Sequence, residues 1–298
     1  MKLFLVALLA AVAAAAASPS PIDWSKVQPI HEVSPSLKAY HEKLVQSGLP
    51  YSTPNGRIVG GIEASPHSIP YQVALLLDTG AGTAFCGGSL LNNEWVLTAA
   101  HCAEVAQSVT VILGAHNVQE EEAEQVRQVS TGIVVHPAWN SLLLQNDIAL
   151  IRLPQPVTYN ANIQPIRLPR RSESSQTFNK EITLASGWGK PTDSATAISP
   201  VLRYVRSPVI SKLSCNLQYF GVIQDSHICT SGSGGKSTCS GDSGGPLVHE
   251  ESDGEVSQLG VVSFGIAFGC EIGWPAVFTR VTSFVDWISA VTGVEVRD

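Results

Sequence analysis

From Ile58 onward, short apolar runs alternate with glycine, proline and polar turn residues. The clearest runs are Tyr71-Gln-Val-Ala-Leu75, Glu94-Trp-Val-Leu-Thr98, Val109-Thr-Val-Ile-Leu113, Asp147-Ile-Ala-Leu-Ile-Arg152 and Gln258-Leu-Gly-Val-Val-Ser263. Most are rich in β-branched side chains, which fit a pleated surface better than a helix. Their length and regular punctuation predict an all-β fold, a sandwich or a barrel. One segment has a different period. Phe284, Trp287, Ile288 and Val291 fall on one face of a helix predicted over Thr282–Val291. The stretch Asn162-Ile-Gln-Pro-Ile-Arg-Leu-Pro169 is expected to open a crossover between two halves, near residues 162–175. No internal repeat relates those halves.

The pattern changes before residue 58. Lys2 is followed by an apolar run, Leu3–Ala17, whose last residues, Ala15-Ala16-Ala17, are small. A charged start, an apolar stretch and a small-residue end predict a secretory signal over residues 1–17. The run has 15 residues, short of the ~20 that cross a bilayer. An uncleaved anchor is the alternative, and the lack of a basic flank argues against it. Residues 18–57 are polar, proline-rich and free of cysteine, and they end in Asn55-Gly-Arg57. Ile58-Val-Gly-Gly61 follows at once. This reads as a pro-segment with a cleavable Arg57–Ile58 junction ahead of a domain over 58–298. A flexible arm is the plainer alternative.

Composition narrows the class. Hydrophobic residues are 44% and charged residues 14% of 298, which excludes a disordered chain and allows a sizeable core. The net charge of −7 argues against nucleic acid or an acidic membrane as partner. Six cysteines follow residue 57: Cys86, Cys102, Cys215, Cys229, Cys239 and Cys270. An even count behind a secretory signal implies three disulfides, with every pairing open on spacing alone. No Cys-x-x-Cys pair or Cys/His cluster at zinc spacing occurs, so neither metal nor cofactor is expected. The run Glu120-Glu-Glu-Ala-Glu124 reads as a solvated loop face, a calcium loop being the sharper alternative.

The chemistry gathers around Cys239-Ser-Gly-Asp-Ser-Gly-Gly-Pro-Leu247. A surface turn would use the same residue types. A serine among glycines is also how a nucleophile is held on a tight turn, with bare N–H groups aimed at a substrate oxygen. Gly241–Gly245 fits Gly-x-Ser-x-Gly, a pattern shared with α/β-hydrolases, whose base follows the serine. Here the only later histidine, His249, is six residues on, and the β-α alternation of that fold is missing. The base is therefore expected upstream. His101 closes an apolar strand beside Cys102, and Asp147 opens another. Singly, each has a bland reading, a packed histidine and a turn acid.

Together, in the order His101, Asp147, Ser243, the chain resembles the trypsin/chymotrypsin family of serine proteases. The motifs are Ile58-Val-Gly-Gly61, Thr98-Ala-Ala-His-Cys102, Asn146-Asp-Ile-Ala-Leu150, Gly187-Trp-Gly189, Gly241-Asp-Ser-Gly-Gly-Pro246 and Ser263-Phe-Gly265. They span residues 58–298 in family order. The resemblance implies two six-stranded antiparallel Greek-key barrels, the active site between them, and a C-terminal helix. It implies that His101 is the general base, that Asp147 orients it, and that Ser243 is the nucleophile. Gly241 and Ser243 would supply the oxyanion hole, and Ser263 would bond Asp147 on the substrate strand. The implied disulfides are Cys86–Cys102, Cys215–Cys229 and Cys239–Cys270. After cleavage at Arg57, the Ile58 ammonium would pair with Asp242. The cysteine-free pro-segment is then expected to leave entirely.

The same resemblance bears on specificity. Ser237 stands at the pocket floor where trypsins carry Asp, Gly265 leaves the entrance open, and Ala276 narrows the interior where many relatives have Gly. A chymotrypsin-like preference for Phe, Tyr, Leu or Met follows, with poor self-activation at Arg57 and a need for a trypsin-like activator. Phe264 replaces the usual Trp of the substrate strand, and Ala115 replaces a calcium-ligating Glu. His67-Ser-Ile-Pro-Tyr-Gln-Val-Ala-Leu75 and Val111-Ile-Leu-Gly-Ala-His-Asn117 are similar to arthropod digestive, brachyurin-type proteases. The expected protein is a secreted monomer of the gut lumen that takes protein or peptide substrates and meets protein inhibitors. Alternatives are an elastase-like or collagenolytic enzyme of the same fold, a cascade protease, or a catalytically inactive binding protein.

Overall fold

The apolar runs become strands, and the strands close on themselves twice. The structure, a computed structural model, describes residues 22–35, 37–39, 42, 61–265 and 269–298. The signal run and the Arg57–Ile58 junction lie outside the described residues. In chain order the strands are β1 (Val27–Pro29), β2 (Ile62–Glu63), β3 (Gln72–Asp78), β4 (Thr83–Leu90), β5 (Trp95–Thr98), β6 (Ser108–Leu113), β7 (Val126–Ser130) and β8 (Gly132–Val135). They continue as β9 (Ala149–Arg152), β10 (Ile182–Gly187), β11 (Arg203–Ile210), β12 (His227–Thr230), β13 (Pro246–Glu250), β14 (Val256–Phe264) and β15 (Ala276–Arg280). The α-helices are short: α1 (Ile30–Val33), α2 (Ala100–Ala103), α3 (Lys212–Gln218) and α4 (Val285–Thr292).

The first barrel runs β7-β6-β3-β4-β5-β9-β8. Only Thr131 separates β7 from β8, so the two act as one bent strand that pairs β6 at one end and β9 at the other. That bend makes six strands and closes the ring. The second barrel runs β10-β13-β14-β15-β12-β11 and closes through β10–β11, with β2 added outside β11. Every pairing within both rings is antiparallel. β11 shows the expected alternation, with Val205, Ser207 and Val209 buried and Arg206 and Pro208 exposed. β3 is buried along Gln72–Leu77, because both of its faces are covered.

Polar stitches join the barrels. Ser186 Oγ donates to Gln72 Oε1 at 2.6 Å, and Ser89 Oγ donates to Gln258 Oε1 at 2.6 Å. Trp188 is fully buried; its indole N–H donates to the His116 carbonyl at 3.0 Å and its ring stands edge-on to Phe85. The crossover changes allegiance between two neighbouring residues. Ile166 N–H bonds Leu90 of the first barrel, while the Arg167 carbonyl accepts from Gln258 of the second. The C-terminal helix α4 buries Val285 and Ile288, with Phe284 and Trp287 packed against His136 of the first barrel.

The N-terminal segment departs from the alternative reading of a flexible arm. Its β1 pairs in parallel with β4, and Ile30 and Leu37 are 0% and 3% exposed. The acidic loop also departs in part. Glu122 turns inward and accepts the His116 and Asn117 N–H groups at 2.6 and 2.9 Å, while Glu120, Glu121 and Glu124 are exposed.

Candidate active site

Between the barrels, loops from both converge. β5 ends at Thr98 and the chain turns at once into α2, which carries His101. Asp147 lies two residues before β9. Ser243 sits in the turn leading into β13, and Ser263 lies near the end of β14. His101 Nδ1 is 2.7 Å from Asp147 Oδ2, and the His101 backbone N–H donates to Asp147 Oδ1 at 2.9 Å. Ser263 Oγ donates to Asp147 Oδ2 at 2.5 Å. Both His101 and Asp147 are fully buried. Burial alone would push the Asp147 carboxyl up. The His101 charge and the hydrogen bonds from its ring, the Ser263 hydroxyl and the His101 N–H outweigh it and hold the group below the usual carboxylate range. With Nδ1–H directed at Asp147, the lone pair of His101 lies on Nε2. That atom is buried and has no hydrogen-bond partner, so no bond to Ser243 Oγ is closed in this form of the chain.

The serine turn is built on glycine. Gly241 and Gly244 have φ of +103° and +80°, a region that L side chains rarely enter. At Gly244 there is also no room: a Cβ would stand 2.2 Å from Thr98 Oγ1 and 2.6 Å from the Gly87 carbonyl. The turn is tied across the barrel gap, since Gly87 N–H donates to the Ser243 carbonyl at 2.7 Å. Cys86–Cys102 staples the histidine helix to β4, Cys215–Cys229 joins α3 to β12, and Cys239–Cys270 ties the serine turn to the loop before β15. Cys86, His101 and Cys102 come within metal-ligating distance of one another. Both sulfurs are in the disulfide, which leaves no thiolate to bind an ion.

Asp242 points away from Ser243. Its carboxylate accepts the N–H groups of Gly189 and Cys239, each at 2.8 Å, and no cation lies within ion-pair range among the described residues. Burial pushes its carboxyl up to about 6, against the pull of those two N–H groups. Ser237 lines two small cavities, one of them shared with Asp242, and neither Gly265 nor Ala276 touches them. Ala276 is 2% exposed and packs in the apolar interior of the second barrel. Gly265 follows β14 with open space around it, beside residues 266–268, which lie outside the described residues. Phe264 is buried edge-on to Tyr219 and His227. His249 lies on β13 against Phe178, far along the strand from the serine turn.

Three supports were missed in the sequence. Thr279 Oγ1 donates to the Asp147 carbonyl at 2.7 Å, Thr98 Oγ1 donates to the Gly87 carbonyl at 2.8 Å, and the Tyr219–His227 pair backs Phe264. A threonine at a buried strand position is the one available signal, and it does not name its partner.

The trypsin family model matches residues 58–288. The chain belongs to the trypsin family. This trypsin-family serine protease is 49% identical over 237 residues to brachyurin of Leptuca pugilator, covering 80% of the chain and 99% of the relative. It is 39% identical to chymotrypsin of Phaedon cochleariae, covering 86% and 89%. Among solved structures, a collagenase is 42% identical with a TM-score of 0.72, covering 80% of the chain and 99% of that structure.

Proposed function

We propose that the chain is the secreted precursor of a serine endopeptidase, activated by cleavage after Arg57, with His101, Asp147 and Ser243 as its triad. The observation that carries this is the His101–Asp147–Ser263 constellation standing beside the glycine-built serine turn. Held by Asp147, His101 presents Nε2 to take the Ser243 proton as Oγ attacks the scissile carbonyl. The Gly241 and Ser243 N–H groups receive the oxyanion; losing one such donor costs about 3 kcal/mol of transition-state stabilisation. His101 then returns the proton to the leaving amine, and water repeats the sequence on the acyl-enzyme.

Activation follows from Asp242. A buried carboxylate without a cation is costly, and the freed Ile58 ammonium is the partner of matching charge. Ion pairing raises the amine above its usual pKa of about 8. The active form is therefore fully present below that range and lost as pH climbs through the raised value. The unpartnered His101 Nε2 supports a triad not yet closed in the uncleaved chain.

Ser237 offers no counter-charge to Arg or Lys, so the preferred residue before the cut is large or medium and apolar. The three disulfides and the signal run support secretion, and the brachyurin likeness supports a digestive role in a gut lumen as a free-standing monomer. A relative's name, collagenase, at 42% identity is the observation favouring collagen as a further substrate. The test is a peptide panel before and after trypsin treatment of the purified chain, with trypsin inhibited afterwards. Activity appearing only after treatment, strongest behind Phe, Tyr or Leu, supports the reading. Confirmed Arg57–Ile58 scission with no activity on any peptide overturns it in favour of a binding protein.

A further inference from the structure

The N-terminal segment is seated on the β4 edge next to the candidate site, and its seat has the features of a binding surface. β5 pairs only with Ser89 and Leu90 of β4, so the edge at Thr83–Phe85 is open on that side. β1 fills it in register, Val27 opposite Thr83, Gln28 opposite Ala84 and Pro29 opposite Phe85. The next residue, Ile30, is fully buried in the main apolar core, and α1 packs on β4. Leu37 is buried in the same core, while Ile22, Trp24, Val27 and Val33 pack against it. Glu32 Oε1 meets Lys190 Nζ at 2.7 Å, and that lysine side chain is only 16% exposed.

Both anchor points adjoin the serine turn. Phe85 is followed by Cys86, bridged to Cys102 beside His101, and by Gly87, whose N–H holds the Ser243 carbonyl. At about 3.3 Å per residue along a strand, Pro29 pairs within two residues' length of that bond. Lys190 donates its N–H to the Ser240 carbonyl at 2.7 Å, and its neighbour Gly189 donates to Asp242. An added strand, an apolar anchor and a partly buried ion pair are how extended peptides are held on a sheet edge. No covalent link is needed to keep such a peptide in place.

Resting on the zymogen reading above, we infer that the segment around Val27–Leu37 is a built-in inhibitor that binds back to the cleaved enzyme without a disulfide, along the Thr83–Phe85 edge and Lys190. Cleavage at Arg57 then yields an enzyme still covered by its own pro-segment, and full activity requires the segment to dissociate or be cut.

The test uses full-length chain cleaved at Arg57 and freed of its pro-segment by chromatography, with a labelled synthetic peptide of residues 18–57. Binding is read by fluorescence anisotropy on Ser243→Ala enzyme, which cannot digest the peptide, and inhibition is read on the native enzyme. The expected results are saturable binding, inhibition of extended peptide substrates, and at least a tenfold weakening by Ile30→Asp in the peptide. Lys190→Glu in the enzyme weakens binding, and Glu32→Lys in the peptide restores it. Absence of binding, or binding indifferent to Ile30→Asp and to the charge swap, overturns the inference. Binding does not depend on catalysis. Peptide bound to a cleaved but inactive native enzyme sinks the zymogen reading alone, and active enzyme that ignores the peptide sinks this inference alone.

Discussion

A single oxygen, Asp147 Oδ2, receives both the His101 ring and the Ser263 hydroxyl. Hydrogen bonds to a charged group contribute about 1.5–3 kcal/mol. Ser263→Ala should therefore lower kcat by roughly ten- to a hundredfold with KM for small substrates little changed, measured by steady-state kinetics after activation. Thr279→Val leaves the buried Asp147 carbonyl short of a donor and should cost about 1–3 kcal/mol in urea unfolding. Asp242 sets a pH signature in the uncleaved chain. Its folded pKa of about 6 lies above the unfolded value of about 4, so the folded state holds the proton more tightly. The stability that Asp242 contributes is then fully present below about 4 and is lost as pH rises through about 6, by up to about 3 kcal/mol. Denaturant titrations of the uncleaved chain across that window should show the decline, and Asp242→Asn should flatten it. His101, Asp147 and Ser243 could be named as candidates because each stands in a short motif. Thr279 was not, because its role depends on a partner 132 positions away that only the fold brings near.

The positions of β3, β5, β6, β9 and β14 were readable from apolar runs bounded by turn residues, and strand partners were not. β7 and β8 were not among the runs read from the sequence, and the bend at Thr131 makes them one closing strand. The crossover was visible in its prolines, which cannot join a central ladder. The docking of the N-terminal segment was not readable. Its proline and polar content signalled an arm, while the apolar positions Val27, Ile30, Val33 and Leu37 that dock it are too few to register as a pattern on their own. The disulfides also act at this scale. Cys239–Cys270 closes 31 residues and Cys215–Cys229 closes 14. Loop-closure entropy gives each about 3–4 kcal/mol of stability. Replacing either pair with alanine should lower the melting temperature by a similar amount. Of the two, only loss of Cys239–Cys270 should also cut activity per folded molecule, since only that bridge ends beside the serine turn; active-site titration beside calorimetry separates the two effects.

Two barrels without a detectable repeat hold one site, because the chemistry depends on where their loops meet and not on either barrel's interior. Ser89–Gln258, Gln72–Ser186 and Gly87–Ser243 hold the two barrels in register with each other. The docked segment adds a further, temporary member to that assembly. Ile30 and Leu37 complete the core of the precursor, and both belong to a stretch that the proposed cleavage separates from the protease domain. On the proposed reading, the chain acquires its fold with help that it later discards. Once stripped of residues 18–57, a denatured chain has to find the same barrels without the strand that once covered the β4 edge. Diluted from denaturant with its disulfides intact, the mature chain should regain activity more slowly and in lower yield than precursor refolded first and cut afterwards. The working enzyme is then protected by its barrier to unfolding more than by its equilibrium stability, and its lifetime is set when it is made.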